Sequence, residues 1–204
     1  MTRRGQTDAH YRRAKQEGFA ARSVYKLAEM DKRYQLLRPG QRVLDLGSHP
    51  GSWLQYACEK VGPAGLAVGV DIQPLAITLP GWGRFLQADL LGVSAENLRA
   101  FAPAYDVVLS DVAPRTTGVM HADMAKSHEL TARAVELALV LLKPGGSLVA
   151  KVYFGPEVDQ LIRRVKAAFS LGKAHKPEAS RTQSKEIYIL GRGLKARPVQ
   201  AQSL

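Results

Sequence analysis

Lys151 is out of place for an ordinary strand residue. It interrupts the apolar run Leu148-Val149-Ala150-Lys151-Val152-Tyr153-Phe154, where desolvating an ammonium is costly. Strand lysines also occur at sheet edges or with the head snorkelled into water, but the flanking residues point to an interior strand. Burial and a second cation nearby would both disfavour its protonated form, leaving an amine suited to general-base work near neutral pH. Upstream, Val107-Val108-Leu109-Ser110-Asp111-Val112-Ala113-Pro114 places Asp111 at the end of another apolar strand.

A second cluster of chemistry lies in Val43-Leu44-Asp45-Leu46-Gly47-Ser48-His49-Pro50-Gly51-Ser52-Trp53. Gly47 and Gly51 allow a tight turn and close approach of a ligand to the backbone. The helix that follows aims its free N–H groups at the same space. An ordinary strand-to-helix turn needs one such glycine too. The next two strands end in Asp71 and Asp89. Asp71 is placed to accept hydrogen bonds from both hydroxyls of a ribose, and Asp89 from an adenine amine; each also suits a helix N-cap. The combination points to an adenosine-containing cofactor. The loop lacks the G-x-G-x-x-G fingerprint, which argues against a nicotinamide-dependent dehydrogenase.

These residues need a frame that gathers strand ends. Strand candidates are Arg42–Leu46, Leu66–Ile72, Arg84–Ala88, Tyr105–Ser110, Ser147–Phe154 and Glu186–Leu190, most bounded by Gly, Pro or Asp. Helix candidates are a basic opening at about 8–36, then Ser52–Lys60, Lys126–Leu142 and Pro156–Phe169. In the third of these four, Leu130, Ala134, Leu137, Ala138 and Leu141 share one face, and Lys143-Pro144-Gly145-Gly146 stops it. Alternating strands and helices imply an α/β fold, a parallel sheet covered on both faces that binds ligands beyond the carboxyl ends of its strands.

The 204 residues suit a single domain, 1–204, with no apolar stretch long enough to cross a membrane and no signal-peptide pattern. One cysteine, Cys58, fits a reducing compartment, and a cytoplasmic location is expected. The formal net charge is +11. Residues 1–38 carry 10 Lys/Arg against 4 Asp/Glu, residues 172–204 carry 7 against 2, and the middle is balanced. A neutral core with two basic arms is either a solubility device or a polyanion footprint, formed as one surface if the ends meet. Charge alone does not choose among RNA, DNA and an acidic membrane. The five histidines read as surface residues, with His49 in the cofactor loop. No metal-ligand spacing is present.

With Lys26 and Glu186 added, Asp111 and Lys151 resemble the Lys-Asp-Lys-Glu tetrad of ribose 2′-O-methyltransferases. The chain is similar to the bacterial FtsJ/RrmJ family over Ala21-Arg-Ser-Val-Tyr-Lys-Leu, the loop from Asp45 to Trp53, Ser110-Asp-Val-Ala-Pro, Leu142-Lys-Pro-Gly-Gly-Ser, Val149-Ala-Lys-Val and Lys176-Pro-Glu-Ala-Ser-Arg-Thr-Gln-Ser-Lys-Glu-Ile-Tyr. The resemblance runs from about residue 10 to 193. It implies a Rossmann-like class I methyltransferase fold: a seven-stranded sheet of order 3-2-1-4-5-7-6, strand 7 antiparallel, with helices on both faces. It implies catalytic residues Lys151, Asp111, Lys26 and Glu186, with Lys151 as base. It also implies S-adenosyl-L-methionine as cofactor, at Gly47, Pro50, Gly51, Trp53, Asp71, Asp89 and Asp111. The implied substrate is a uridine ribose of 23S rRNA in the large ribosomal subunit; a sulfonium is already activated, so no metal is expected, and a monomer is the expected state. Transfer RNA, another RNA, or a silent RNA-binding assembly factor are the rival readings. The family loop usually reads G-A-A-P-G-G-W; Ser48, His49 and Ser52 depart from it, adding side chains where the cofactor would fit.

Overall fold

The computed structural model describes residues 3–114, 117–155, 157–180 and 184–196. One seven-stranded sheet runs through the molecule in the order β3-β2-β1-β4-β5-β7-β6. The strands are β1 (Arg42–Leu46), β2 (Leu66–Asp71), β3 (Gly83–Gln87), β4 (Tyr105–Ser110), β5 (Leu142–Tyr153), β6 (Phe169–His175) and β7 (Glu186–Leu194). Pairing is parallel from β3 to β5, and β7 runs antiparallel to both β5 and β6. The helices are α1 (Arg3–Gln16), α2 (Val24–Tyr34), α3 (Ser52–Val61), α4 (Ala95–Arg99), α5 (Met120–Leu141) and α6 (Val158–Ala168).

The central strands are continuous apolar runs because both their faces are covered. On one face Leu44, Leu46, Val108, Leu148 and Ala150 meet α5 and α6, including the predicted stripe from Leu130 to Leu141. On the other, Val43, Leu109, Val149 and Tyr188 meet α2 and α3 through Leu27, Met30, Trp53 and Leu54. Reversal of strand order at β1 and β4 opens a crevice above their carboxyl ends. No helix among the described residues is long and apolar enough to cross a membrane.

Several boundaries differ from the sequence reading, each for a local reason. The single helix expected over about 8–36 is two, broken near Gly18, whose φ of +76° suits only glycine well. Helix α5 starts six residues before Lys126 and ends at Leu141. The Lys143-Pro144-Gly145-Gly146 stretch then lies inside β5, which pairs through Leu142, slips register, and resumes pairing at Ser147. Pro156, the expected start of the last helix, lies outside the described residues, and α6 spans Val158–Ala168. Strand β6, which the resemblance implies, has no strand pattern of its own in the sequence: FSLGKAH has few branched residues, and as an edge strand it buries little beyond Phe169. The five-residue α4 has a single buried residue, Leu98, too little for a visible period; the Ser94–Asn97 capping box holds it. Strand β7 runs on past Leu190 because Gly191 leaves room for the Phe169 ring, which an added Cβ would meet at 2.8 Å.

Candidate active site

The turn from β1 into α3 forms the cradle expected from its glycines. Gly47 has φ +82°, and a Cβ there would sit 2.6 Å from Val112 Cα. Gly51 has φ +123°, with Ile77 Cγ1 2.6 Å from where a Cβ would be. Pro50 lies between them, partly buried. Gly51 caps α3 without a side-chain acceptor, so no side chain occupies the first-turn N–H groups. Ser48, His49 and Ser52 are tied off locally. Ser48 Oγ donates to Asp45 O (2.8 Å), His49 Nδ1 lies 2.8 Å from Pro74 O, and Ser52 Oγ lies 3.0 Å from Ser23 Oγ.

Neither Asp71 nor Asp89 caps a helix. Asp71 accepts the backbone N–H groups of His49 and Gln73, both at 2.8 Å, which ties the end of β2 to the loop. Its remaining lone pairs stay free for other donors. Exposed Asp89 accepts from Leu91 N–H at 3.0 Å in the turn after β3.

The four tetrad residues form two ion pairs. Lys151 is buried on β5; its Nζ donates to the Asp111 carbonyl (2.5 Å) and lies 3.1 Å from Asp111 Oδ1. Lys26, buried on α2, reaches Glu186 Oε1 at 2.5 Å. Glu186 therefore holds Lys26, while Asp111 holds Lys151. Strand register explains the convergence: Lys151 stands opposite Tyr188 and Tyr153 opposite Glu186. Burying charges costs several kcal/mol per ion before attraction repays it, so such pairs are weak stability devices.

Sequence reasoning missed three residues here, Tyr188, Asp45 and Ser110. Tyr188 is fully buried; its hydroxyl donates to Asp111 Oδ1 at 2.7 Å, and burial, then Asp111, hold that hydroxyl well above its ordinary pKa. It stays a neutral donor. Trp53 stacks on Tyr188 with centroids 5.8 Å apart and donates Nε1–H to Ser23 O at 2.9 Å. Trp53 is itself buried, so it braces α2, α3 and the Asp111–Tyr188 pair against one another. Asp45 is wholly buried at the end of β1, with neither carboxylate oxygen hydrogen-bonded. Burial, and then the nearby charge of Asp111, push its carboxyl up to about 8. An acid in an apolar strand is the signal that flagged Lys151, and it applied equally here. Ser110 Oγ, at the end of β4, is likewise buried without a partner.

The histidines are not uniformly at the surface. His49 and His121 are exposed, but His128 is buried, with Nδ1 2.7 Å from Glu157 Oε2 and Nε2 3.1 Å from Tyr153 O. These contacts pack the start of α5 under the end of β5. His175 is half-buried against Tyr34. Among the described residues no group of three or more His, Cys, Asp or Glu is placed to hold a metal ion.

The two basic arms meet. Arg33 and Lys173 lie over the ring of Tyr34, at 5.6 and 4.6 Å, and Glu29 of α2 accepts the N–H groups of Glu178 and Ala179. Helix α2 thus joins the C-terminal basic segment while presenting Lys26 to the tetrad.

Three comparisons bear on this arrangement. The model of the FtsJ-like methyltransferases matches residues 19–194. Ribosomal RNA large subunit methyltransferase E of Syntrophobacter fumaroxidans is 47% identical over 189 residues, covering 92% of this chain and 96% of its own. The protein of the same name from Desulfatibacillum aliphaticivorans is 46% identical over 183 residues, covering 89% and 88%. Among solved structures, a ribosomal RNA methyltransferase of Plasmodium falciparum superposes with a TM-score of 0.74 at 25% identity, covering 88% of this chain and 100% of that one. These matches cover nearly the whole chain, and the chain belongs to the FtsJ-like methyltransferase family.

Proposed function

We propose that this protein methylates the 2′-hydroxyl of a uridine ribose in 23S rRNA of the large ribosomal subunit, acting in the cytoplasm as a monomer. The observation that carries this reading is the pair of buried ion pairs, Lys151–Asp111 and Lys26–Glu186, at the strand ends beside a glycine cradle. The relatives' names supply the RNA, and the joined basic arms suit a polyanion.

S-adenosyl-L-methionine fits the cradle. Gly47 and Gly51 leave room that a Cβ would fill, and Asp45 and Ser110 keep buried oxygens without partners nearby. Gly47, Pro50 and Gly51 would frame its amino-acid end, with Trp53 behind them. Asp71 would take the ribose hydroxyls, Asp89 the adenine amine, and Asp111 would lie near the sulfonium. When bound, the cofactor supplies an electrophilic methyl group on a positively charged sulfur.

A ribose hydroxyl is a weak acid and a poor nucleophile, so the protein must remove its proton. Lys151 takes that proton as its amine, oriented by the Asp111 carbonyl and carboxylate. Lys26 stabilises the oxyanion that develops. Glu186 fixes Lys26, and Tyr188 fixes Asp111. The experiment is methyl transfer from radiolabelled S-adenosylmethionine to large subunits from cells lacking the protein, followed by nuclease mapping. Label in a 2′-O-methylated uridine of 23S rRNA is expected; no label despite tight cofactor binding would overturn the reading.

A further inference from the structure

Large apolar side chains scattered singly over a surface need no explanation, whereas a cluster beside a reaction centre does. Phe154 is 66% exposed and Met120 is 51% exposed. Met120 lines a cavity of about 350 Å³ together with Asp123, Met124, Tyr153, Lys185 and Glu186, among others, and Phe154 is the chain neighbour of its lining residue Tyr153. Phe154 follows Tyr153 directly and donates its backbone N–H to Lys185 O at 2.7 Å, which pins it to the rim. The cavity shares Glu186 with the tetrad. Tyr153 is two residues beyond Lys151 on β5, on the same side of the strand and about 7 Å along it. A group in this cavity is therefore one nucleoside's reach from the amine that receives the ribose proton.

The chemistry of the walls suits a nucleobase better than a phosphate or a sugar. Aromatic rings offer bases a flat face, and methionine thioethers pack against rings without demanding one geometry. Unpaired bases splayed from a folded RNA are recognised by such stacking. The cavity is also of the size that holds small organic groups. Its lining residue Glu186 is also the partner of Lys26, which puts the cavity beside the lysines.

We infer that the cavity between Met120 and Tyr153 receives the base of the acceptor nucleotide, and that Phe154 is the stacking platform at its mouth. The inference rests on the RNA methylation proposed above and adds the site that orients the acceptor. Phe154 and Met120 are positioning residues: they set how often the hydroxyl is presented and take no part in proton transfer.

The test uses the full-length protein, radiolabelled S-adenosylmethionine and unmethylated large ribosomal subunits. Phe154→Ala and Phe154→Leu are each expected to raise KM for subunits about tenfold, the scale of losing one base stack. Met120→Ala should raise KM in the same direction. Phe154→Tyr, which keeps the ring, should stay within about twofold of wild type. Dissociation constants for the cofactor, from equilibrium dialysis, should not change in any variant. A wild-type KM for Phe154→Leu would overturn the stacking role. Weakened cofactor binding in Phe154→Ala would overturn the placement, since the patch would then belong to the methyl donor. Wild-type protein that labels no rRNA would instead overturn the substrate reading beneath the inference, and that result appears before any variant is compared.

Discussion

Replacing Asp45 by asparagine should make the protein gain stability relative to wild type as the pH rises. The carboxyl is wholly buried with neither oxygen hydrogen-bonded, and burial, then the charge of Asp111, push it up to about 8, against about 3.9 in the unfolded chain. Between those values the folded protein holds a proton that the unfolded chain has released. Stability therefore falls as pH rises through this window and levels off above it. At about 1.4 kcal/mol per pH unit, Asp45 withdraws about 4 kcal/mol between pH 5 and pH 8, a large part of the 5–15 kcal/mol typical of a domain. Asparagine has nearly the same shape and no charge to bury, so this slope disappears. The assay is urea unfolding of both proteins at pH 5 and pH 8. Other titrating groups are common to both and cancel in the difference. The variant's advantage should grow by about 3–4 kcal/mol over that range. A change below about 1 kcal/mol would refute the argument, because Asp45 would then be ionised in the folded state at pH 5 and stabilised by something other than solvent.

Lys151→Ala should abolish methyl transfer yet leave the cofactor dissociation constant within about threefold of wild type, since the side chain meets Asp111 and no cradle residue; wild-type turnover would remove Lys151 as the base. Gly47→Ala places a Cβ against the Val112 backbone at a φ of +82°, so it should cost about 3 kcal/mol of stability. A thermal midpoint equal to that of wild type would show the turn is not needed as drawn. Deleting residues 1–20 removes α1 and five of the arginines and lysines. It should weaken rRNA binding and flatten the dependence of log affinity on log salt, and an unchanged slope would show that the N-terminal arm does not touch phosphate.

How much of the site was legible depended on whether a residue contradicts its own surroundings. Lys151 does so within seven letters, and the glycines at 47 and 51 stand at a visible strand end. Asp45 contradicts its surroundings just as strongly, but an acid beside a glycine turn also suits an ordinary loop, and the sequence does not show that its oxygens lack partners. The partition into Lys151–Asp111 and Lys26–Glu186 was not readable at all, because it depends on the register that sets Lys151 against Tyr188 and on α2 lying over β7. Tyr188 looks like an ordinary core aromatic until Asp111 is placed against its hydroxyl. Strand β6 has the opposite difficulty: an edge strand with one buried side chain carries almost no pattern, and is held by pairing with β7 that other residues bring about. Local chemistry is legible where a single side chain is expensive in its own neighbourhood. Where the expense is offset by a partner 70 or more residues away, as for Asp111 and Tyr188, only the fold reveals it. The tetrad is the extreme case: its charges pair with one another, and uncharged Tyr188 anchors Asp111 while stacking on Trp53, which is tied in turn to Ser23.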